Sequence, residues 1–195
     1  MSKIISVIGN IGVGKTTLTE VISKKYGILN LIEEHGTRPF QQLFKDDQRY
    51  GLANQIDYLL LRAEQERIVR DNDTIGIFDG GLDLDFHIFT RLFLKRNLLS
   101  QKEYDLCERL YRILRSSLPS PDLTIFIHAD LASIESRFQS RDRINIARTQ
   151  DMREINLLLE TYFYQIPENN RIEFDVSNSN PEYPEIIEKL EKIIY

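Results

Sequence analysis

The stretch Gly9-Asn10-Ile11-Gly12-Val13-Gly14-Lys15-Thr16 indicates the fold of this chain more strongly than any other. It matches the phosphate-binding loop pattern, in which a glycine and four further residues precede Gly-Lys-Ser or Gly-Lys-Thr. Glycines let backbone N–H groups turn toward phosphate oxygens, and the N-terminus of a following helix adds positive partial charge. We therefore expect Gly9 to Thr17 to bind a nucleotide, with Lys15 reaching its β- and γ-phosphates and the Thr16 hydroxyl as a ligand of Mg²⁺.

The residues on both sides of this loop supply the context that phosphate binding requires. Before it, Ile4-Ile5-Ser6-Val7-Ile8 is a short apolar run rich in β-branched residues, which is typical of a buried strand. After it, Thr17-Leu18-Thr19-Glu20-Val21-Ile22 begins a helical pattern. A strand, a glycine-rich loop and a helix in this order place backbone N–H groups and a helix N-terminus around one anion.

Short apolar runs alternate with helical patterns along the rest of the chain. Strands are predicted at about 3–8, 28–32, 74–78, 123–127 and 171–176. Helices are predicted at about 15–25, 53–70, 82–97, 101–117, 148–165 and 182–194, with one more beginning near Leu131 after Asp130 as its N-cap. Because helices separate the strands, we expect an α/β fold, with a five-stranded parallel sheet and helices on both faces.

The composition favours a single domain, residues 1–195, and excludes some classes of partner. The net charge is −5 and no basic stripe is present, which argues against binding to nucleic acid polymers. The sequence has no transmembrane run, and its N-terminal apolar stretch is too short for a signal peptide. The single cysteine, Cys107, cannot form an internal disulfide, so we expect a cytoplasmic protein without a membrane partner.

Two acidic residues follow predicted strands at the edge where a ligand is expected. In parallel α/β sheets, ligands bind at the carboxyl ends of the strands. Glu33 follows the second strand and Asp79 ends the third, so both should converge with the phosphate loop on one cleft. Each is a candidate for the general base or for support of a metal ion. The alternative is that each is a helix cap or an exposed acid.

The remaining signals favour a kinase of small molecules over other proteins with this loop. GTPases need an Asp-x-x-Gly sequence after a strand and an Asn-Lys-x-Asp sequence that reads the base, and neither is present here. Arg137, Arg141 and Arg143 place three arginines within seven residues between two helical patterns. Arginines answer the charge that spreads over phosphate oxygens during phosphoryl transfer, and a mobile lid excludes water. We interpret this segment as a lid over ATP; a solvated charged turn is the alternative.

One face of the predicted helix at 53–70 carries groups that suit a nucleic acid base. Gln55, Tyr58 and Arg62 lie three to seven residues apart, so they share a stripe with Leu59. An amide pairs with a base edge and an aromatic ring stacks on it, although an ordinary amphipathic helix has the same pattern. Phe86 and Phe89 recur at helical spacing and are interpreted mainly as core residues; the alternative is that one of them borders the base.

The chain resembles the deoxynucleoside kinases along nearly its whole length. That family carries a Gly-Asn-Ile-Gly-x-Gly-Lys-Ser/Thr loop, which the stretch from Gly9 to Thr16 matches, including the Asn-Ile pair. The family's Glu-Pro-Val segment corresponds to Glu33-Glu34-His35. Its bacterial form continues to Asn-Pro-Phe, and Arg38-Pro39-Phe40 lies at the matching spacing, which favours Glu33 over Glu34 as the catalytic carboxylate.

The resemblance implies ATP and Mg²⁺ as cofactors, a P-loop kinase fold and a homodimer. It implies that Gln55 and Arg62 read the base together with Asp85, a second family acid. The arginine-rich lid of the family, Arg-x-x-x-Arg-Gly-Arg, corresponds to the three arginines above, with Asp142 where glycine is usual. Asp175 and Val176 lie where the family turns around the adenine of ATP.

The chain departs from the family after its third strand. The family has Glu-Arg-Ser or Asp-Arg-Ser there, whereas this chain has Asp79-Gly80-Gly81, so the acid is kept and the arginine is lost. Three hypotheses remain open at this point. The chain phosphorylates the 5′-hydroxyl of a deoxynucleoside or related nucleoside; it is a kinase for a modified nucleoside, a nucleotide or another small alcohol; or it is a nucleotide-binding regulator with little catalysis.

Overall fold

Strand β1 (Lys3–Ile8) lies in the middle of the sheet in a computed structural model of this chain. The other strands, in chain order, are β2 (Leu29–Leu31), β3 (Ile75–Asp79), β4 (Leu123–His128) and β5 (Arg171–Asp175). All neighbours pair in parallel, and the order across the five-stranded sheet is β2-β3-β1-β4-β5. The structure describes residues 2–32, 38–130, 133–134, 151–178, 180 and 182–194.

Helices connect the strands, as the alternating sequence pattern predicts. They are α1 (Lys15–Tyr26), α2 (Pro39–Asp46), α3 (Gly51–Asp71), α4 (Leu82–Leu84), α5 (Arg91–Lys95), α6 (Gln101–Ser117), α7 (Met152–Phe163) and α8 (Pro184–Ile194). Short 3₁₀ turns lie at Gln48–Tyr50 and Glu168–Asn170. A π-helical segment, Asp85–Thr90, joins α4 to α5, and residues 82–95 together are called the α4–α5 run below.

The two faces of the sheet bury alternate residues of β1. Ile5 and Val7 belong to the core under α1 and α8. On the opposite face Ile4 packs with Val69 of α3, and Ile8 packs with apolar residues of the α4–α5 run and α7. The predicted α/β fold, a parallel five-stranded sheet with helices on both faces, is therefore confirmed. None of the helices in the described part of the chain is long and apolar enough to cross a membrane.

Two local features differ from the sequence prediction. Helix α2 occupies a stretch for which no helix was predicted; Pro39 suits its first position, and Phe44 anchors it in the core. The segment 82–97, predicted as one regular helix, contains the π-helical segment instead. There the carbonyl of Asp85 accepts side-chain hydrogen bonds from Thr90 at 2.9 Å and from Gln55 at 3.0 Å, which explains why the helix widens at this point.

The predicted N-cap at Asp130 is confirmed by its contacts. Its carboxylate accepts hydrogen bonds from the backbone N–H of Ser133 at 2.8 Å and from the Ser133 hydroxyl at 2.6 Å. The first of these bonds satisfies a backbone N–H that the first helical turn leaves unpaired. Leu131, where the helix was predicted to begin, lies outside the described residues.

Candidate active site

The phosphate loop joins β1 to the N-terminus of α1. Gly14 is the N-cap of α1 and has φ +113°, a backbone conformation that residues other than glycine rarely adopt. A Cβ atom at this position would collide with the hydroxyl of Tyr183. The Lys15 ammonium donates to the carbonyls of Gly9 and Asn10, both at 3.1 Å. It is therefore held over the loop, where a point charge meets a phosphate.

The side chain of Asn10 shapes this loop from within. Its Nδ2 donates to the carbonyl of Met152 at 2.8 Å and to Oδ1 of Asn156 at 2.6 Å, both belonging to α7. Its own Oδ1 accepts the backbone N–H of Ile11 at 2.8 Å. Asn10 was predicted to bind the cofactor; because its amide is used inside the protein, we expect this residue to contribute to nucleotide binding through its backbone.

The start of α1 and the end of β3 meet at one hydrogen bond. The Thr16 hydroxyl donates to Oδ2 of Asp79 at 2.5 Å. Asp79 at the end of β3 lies opposite Val7 of β1 in the sheet register. Since β1 leads directly into the phosphate loop, the end of β3 lies beside that loop. The predicted convergence of Asp79 with the loop is therefore seen in the structure, and it brings a hydroxyl oxygen and a carboxylate oxygen together.

A buried arginine connects Asp79 to a second acid. Nε of Arg62 donates to Oδ2 of Asp85 at 2.9 Å, and its Nη2 donates to the carbonyl of Asp79 at 3.0 Å. Gln55, seven residues earlier on α3, donates to the carbonyl of Asp85 at 3.0 Å. The structure thus gathers Gln55, Arg62, Asp79 and Asp85 beside the phosphate loop, and Tyr58 is buried on the same helix.

The two phenylalanines suggested for the base have different places. Phe86 is 2% exposed and stacks on Tyr111 of α6, with ring centroids 4.1 Å apart and planes at 9°. It therefore belongs to the core between the α4–α5 run and α6, and the structure does not place it at the loop. Phe89 is half-buried and packs against the core cluster that also contacts Ile11 of the phosphate loop. This placement favours Phe89 over Phe86 as the ring next to a ligand.

A buried ionic network beside this site was not predicted from the sequence. Both oxygens of Glu66 accept from the guanidinium of Arg115, at 2.7 and 2.9 Å, and Nε of Arg115 donates to Oδ1 of Asp83 at 2.7 Å. Asp83 also accepts from the hydroxyls of Tyr111 at 2.8 Å and Tyr162 at 3.0 Å. It therefore ties the α4–α5 run to α6 and α7. No local pattern in the sequence indicates these partners.

Burial changes the proton affinities in this network. Burial raises the pKa of the Glu66 carboxyl, against the lowering effect of Arg115. Burial lowers the pKa of His87 to about 4, so its ring is neutral near pH 7. Nε2 of His87 lies 3.1 Å from the Tyr111 hydroxyl, whose single proton goes to Asp83; the neutral ring therefore carries its proton on Nε2 and donates it to Tyr111.

Several predicted site residues lie elsewhere or outside the described residues. Asp175 is exposed at the end of β5, where hydrogen bonds from the side chain and backbone of Ser177 lower its pKa, and Val176 is buried beside it. Both lie at the same sheet edge as the phosphate loop, two strands away. Glu33 and the lid arginines Arg137, Arg141 and Arg143 lie outside the described residues, so their predicted roles stay predictions.

Comparison with known proteins identifies the family. The sequence pattern that describes the deoxynucleoside kinases matches residues 5–194 of this chain. The chain belongs to the deoxynucleoside kinase family. The resemblance inferred from the loop and the strand-end acids is therefore confirmed, and the members of this family are phosphotransferases.

Curated relatives and solved structures agree with this assignment. The chain is 27% identical over 145 residues to the deoxyadenosine/deoxycytidine kinase of Bacillus subtilis (strain 168), covering 73% of this chain and 67% of that protein. It is 26% identical over 139 residues to the deoxyguanosine kinase of the same organism, covering 71% of this chain and 67% of that protein. A structure of deoxyadenosine kinase from M. mycoides with bound dCTP shares the fold, with a TM-score of 0.78, 24% identity, and coverage of 97% of this chain and 99% of that one.

Gly80, which stands where the family has an arginine after the acid, has a backbone conformation that favours glycine. Its φ is +88°, and a Cβ atom there would lie 2.8 Å from Cδ2 of Leu84 and 3.5 Å from Nη2 of Arg62. The Ser6 hydroxyl donates to its carbonyl at 2.5 Å, and its N–H donates to the carbonyl of Val7 at 2.9 Å, so the backbone is held in this conformation. A side chain at this position is therefore strained by the positive φ and displaces the end of the Leu84 side chain.

We expect Gly80→Arg to destabilise the protein and to lower its activity. A residue other than glycine at such a φ costs about 1–3 kcal/mol, and the contact with Leu84 adds to this. Thermal melting measures the loss. Gly27→Ala is the matched control, because Gly27 also has a positive φ, +64°, but nothing lies within 4 Å of its Cβ position. To compare the two positions with the same side chain, Gly80→Ala is made as well, and its melting temperature should be lower than that of Gly27→Ala. A stable Gly80→Arg with higher activity on deoxynucleosides would contradict this account.

Proposed function

We propose that this protein transfers the γ-phosphoryl group of ATP to the 5′-hydroxyl of a deoxynucleoside. The observation that carries the proposal is the 2.5 Å hydrogen bond between Thr16 and Asp79, because it joins the phosphate loop to a strand-end carboxylate. Arg62 connects the same strand end to Asp85 and so to the residues expected to read a base. The phosphate site, the carboxylate proposed as general base and the proposed nucleoside site are then neighbours.

The proposed chemistry is mainly positioning and electrostatic stabilisation. Lys15 supplies a fixed positive charge to the transferring phosphate, and loop N–H groups and the α1 N-terminus supply partial charges. A carboxylate, Asp79 or Glu33, accepts the proton of the acceptor hydroxyl as that oxygen bonds to the γ-phosphorus. The bond between the γ-phosphorus and the β–γ bridging oxygen breaks in the same transfer, and ADP leaves with its electron pair. Gln55, Arg62 and Asp85 orient the nucleoside, and the lid arginines answer the charge on the phosphate oxygens.

The donor set at the loop fits a magnesium ion. Mg²⁺ prefers oxygen ligands and keeps several of its waters, and the Thr16 hydroxyl and the Asp79 carboxylate present two oxygens at one point. When bound, the ion neutralises charge on the β- and γ-phosphates. Among the described residues no group of three or more His, Cys, Asp or Glu side chains forms a separate metal site.

A phosphate-transfer screen tests the proposed function. The purified protein, ATP and Mg²⁺ are incubated with deoxynucleosides, ribonucleosides, nucleoside monophosphates and sugar alcohols, and labelled product is measured. We expect transfer to at least one deoxynucleoside. Transfer to a nucleotide or another alcohol instead would favour the second hypothesis, which the glycines at 80–81 support because they leave no arginine at the acceptor. ATP binding without transfer to any acceptor would favour a regulator.

Asp79→Asn and Glu33→Gln should each damage catalysis more than ATP binding. Both changes keep the size of the side chain and remove its negative charge. Substitution of the residue that acts as the general base should lower kcat by about 10²-fold, with little change in the dissociation constant of ATP. Asp105→Asn is the control, because Asp105 is an exposed acid on α6 whose carboxylate accepts a hydrogen bond from Gln101 of the same helix. If neither variant lowers kcat tenfold, the carboxylate assignment is wrong.

We propose that the protein forms a homodimer through α3 and α6. These neighbouring helices expose large apolar side chains: Leu60, Ile68, Leu106 and Ile113. Ile113 is 63% exposed, and burying such side chains against a second copy is favourable. Sedimentation should show a dimer at micromolar concentration that Ile113→Asp converts to monomer. Leu157→Asp is the control, since Leu157 is 57% exposed on α7. A wild-type protein that sediments only as monomer would remove this proposal.

We also propose that the protein works in the cytoplasm. Cys107 is its single cysteine and is buried as a free thiol, and burial raises the pKa of that thiol to about 11. A free, unreactive cysteine thiol is typical of proteins in a reducing compartment. Fractionation of cells that express the protein checks this location, and recovery in a membrane or secreted fraction would contradict it.

A further inference from the structure

Helix α7 holds the phosphate loop by side-chain contacts. Nδ2 of Asn10 uses both of its hydrogens on this helix, one for the carbonyl of Met152 at 2.8 Å and one for Oδ1 of Asn156 at 2.6 Å. Asn10 is 1% exposed, so water cannot easily replace either partner. The carbonyl of Met152 is a backbone group, which leaves Asn156 as the one partner that a substitution removes.

The position of Asn156 is itself set by contacts at both ends of α7. At the N-terminal end, the carboxylate of Asp151 pairs with Arg96 at the end of α5. At the other end, the hydroxyl of Tyr162 donates to Asp83 at 3.0 Å. Both partners belong to the helical segment that begins after Asp79. Helix α7 therefore contacts the phosphate loop and, at both of its ends, the segment that contains the α4–α5 run.

Asn10 in turn controls the lysine of the loop. Its carbonyl accepts from Nζ of Lys15 at 3.1 Å, and its side-chain Oδ1 accepts from the N–H of Ile11 at 2.8 Å. A shift of Asn10 therefore moves both the ammonium group and a backbone N–H of the loop. The geometry that binds phosphate depends on an amide whose partner lies 146 positions away in the chain.

We propose that Asn156 is a positioning residue of the phosphate loop. It never touches the nucleotide; its Oδ1 fixes Asn10, and Asn10 fixes Lys15 and the loop backbone. This inference rests on the proposed function, since it takes the loop to be the ATP site. A merely structural Asn156 would stabilise the fold, and its loss would then affect all ligands and the melting temperature together.

The test compares ATP binding with nucleoside binding in two variants. Asn156→Leu removes the acceptor and leaves an Nδ2 hydrogen of Asn10 without a partner. We expect the ATP dissociation constant, measured by calorimetry without nucleoside, to rise about tenfold, and the nucleoside constant to stay within about twofold. Thr161→Ala is the control on the same helix, because its hydroxyl bonds to the carbonyl of Leu157 within α7. It should change neither constant.

Asn156→Ala decides the question if Asn156→Leu does not fold. The smaller side chain leaves room for a water molecule near Asn10, so a rise of about threefold in the ATP constant is expected. Unchanged ATP affinity in a folded variant, or a parallel loss of ATP and nucleoside affinity, overturns the proposal. Because binding is measured without turnover, a wild-type protein that binds ATP but transfers no phosphate would overturn the proposed function alone, and one that does not bind ATP would overturn both.

Discussion

Lys15→Ala is expected to abolish nearly all phosphoryl transfer while the protein stays folded. The Lys15 ammonium is held over the loop by two carbonyls at 3.1 Å, where it meets the transferring phosphate. Losing a contact of this kind, made to charge that develops in the transition state, costs about 3–4 kcal/mol or more, which is about 10²–10³-fold in kcat/KM. Steady-state kinetics with ATP and the accepted nucleoside measure the loss.

Lys24→Ala provides the control for this variant, since Lys24 is exposed in the last turn of the same helix. Both variants remove a lysine from α1, and only one of them removes it from the loop. Circular dichroism and thermal melting should show that both are folded. Retention of most of the wild-type kcat/KM by Lys15→Ala would end the catalytic interpretation of the loop.

Arg115→Met is expected to cause the largest loss of stability. The substitution keeps much of the apolar stem but leaves Glu66 and Asp83, 1% and 5% exposed, without their cation. Removing one partner of a buried ion pair costs about 3–5 kcal/mol. Urea unfolding near pH 7 measures the difference, and Arg112→Met is the control because its pair with Glu108 is exposed on the same helix.

The pH dependence of this variant has a defined sign. Without Arg115, burial raises the pKa of Glu66 in the folded protein above its unfolded value, so the folded state favours the protonated acid. The deficit of the variant should therefore be largest near neutral pH and should shrink as the pH falls toward the unfolded pKa. Replacing Glu66 by Leu in the same variant should recover part of the stability, since it removes the uncompensated charge. An Arg115→Met protein as stable as the control would show that the network contributes little.

Much of the fold was predictable because its signals are local. The apolar run 4–8, the glycines that follow it and the helical pattern after Lys15 lie next to one another in the chain. Their structure depends on backbone preferences and on burial at a fixed period, so β1, the phosphate loop and α1 appear where the sequence places them. The same holds for α3, whose stripe of Gln55 and Arg62 was recognised from spacing alone.

The π-helical segment and the role of Asn10 were not predictable in this way. The carbonyl of Asp85 accepts from Gln55 of α3, and Asn10 donates to α7, so each local conformation depends on a side chain distant in sequence. Phe86 and Phe89 have the same spacing signal, and only packing against α6 distinguishes the core ring from the one nearer the loop. Periodicity assigns a residue to a face without saying which neighbour covers that face.

The sequence by itself thus determined the family, the parallel sheet, and the meeting of the phosphate loop with Asp79 at one sheet edge. The tertiary structure alone decided how the charges are paired: Arg62 with Asp85, and Arg115 with both Glu66 and Asp83. The physical reason is that strands and loops follow from short-range sterics and hydrophobic burial, which neighbouring residues encode. The partner of a buried charge instead depends on which opposite charge lies within hydrogen-bond distance once separate helices have packed together. No local sequence pattern encodes that pairing.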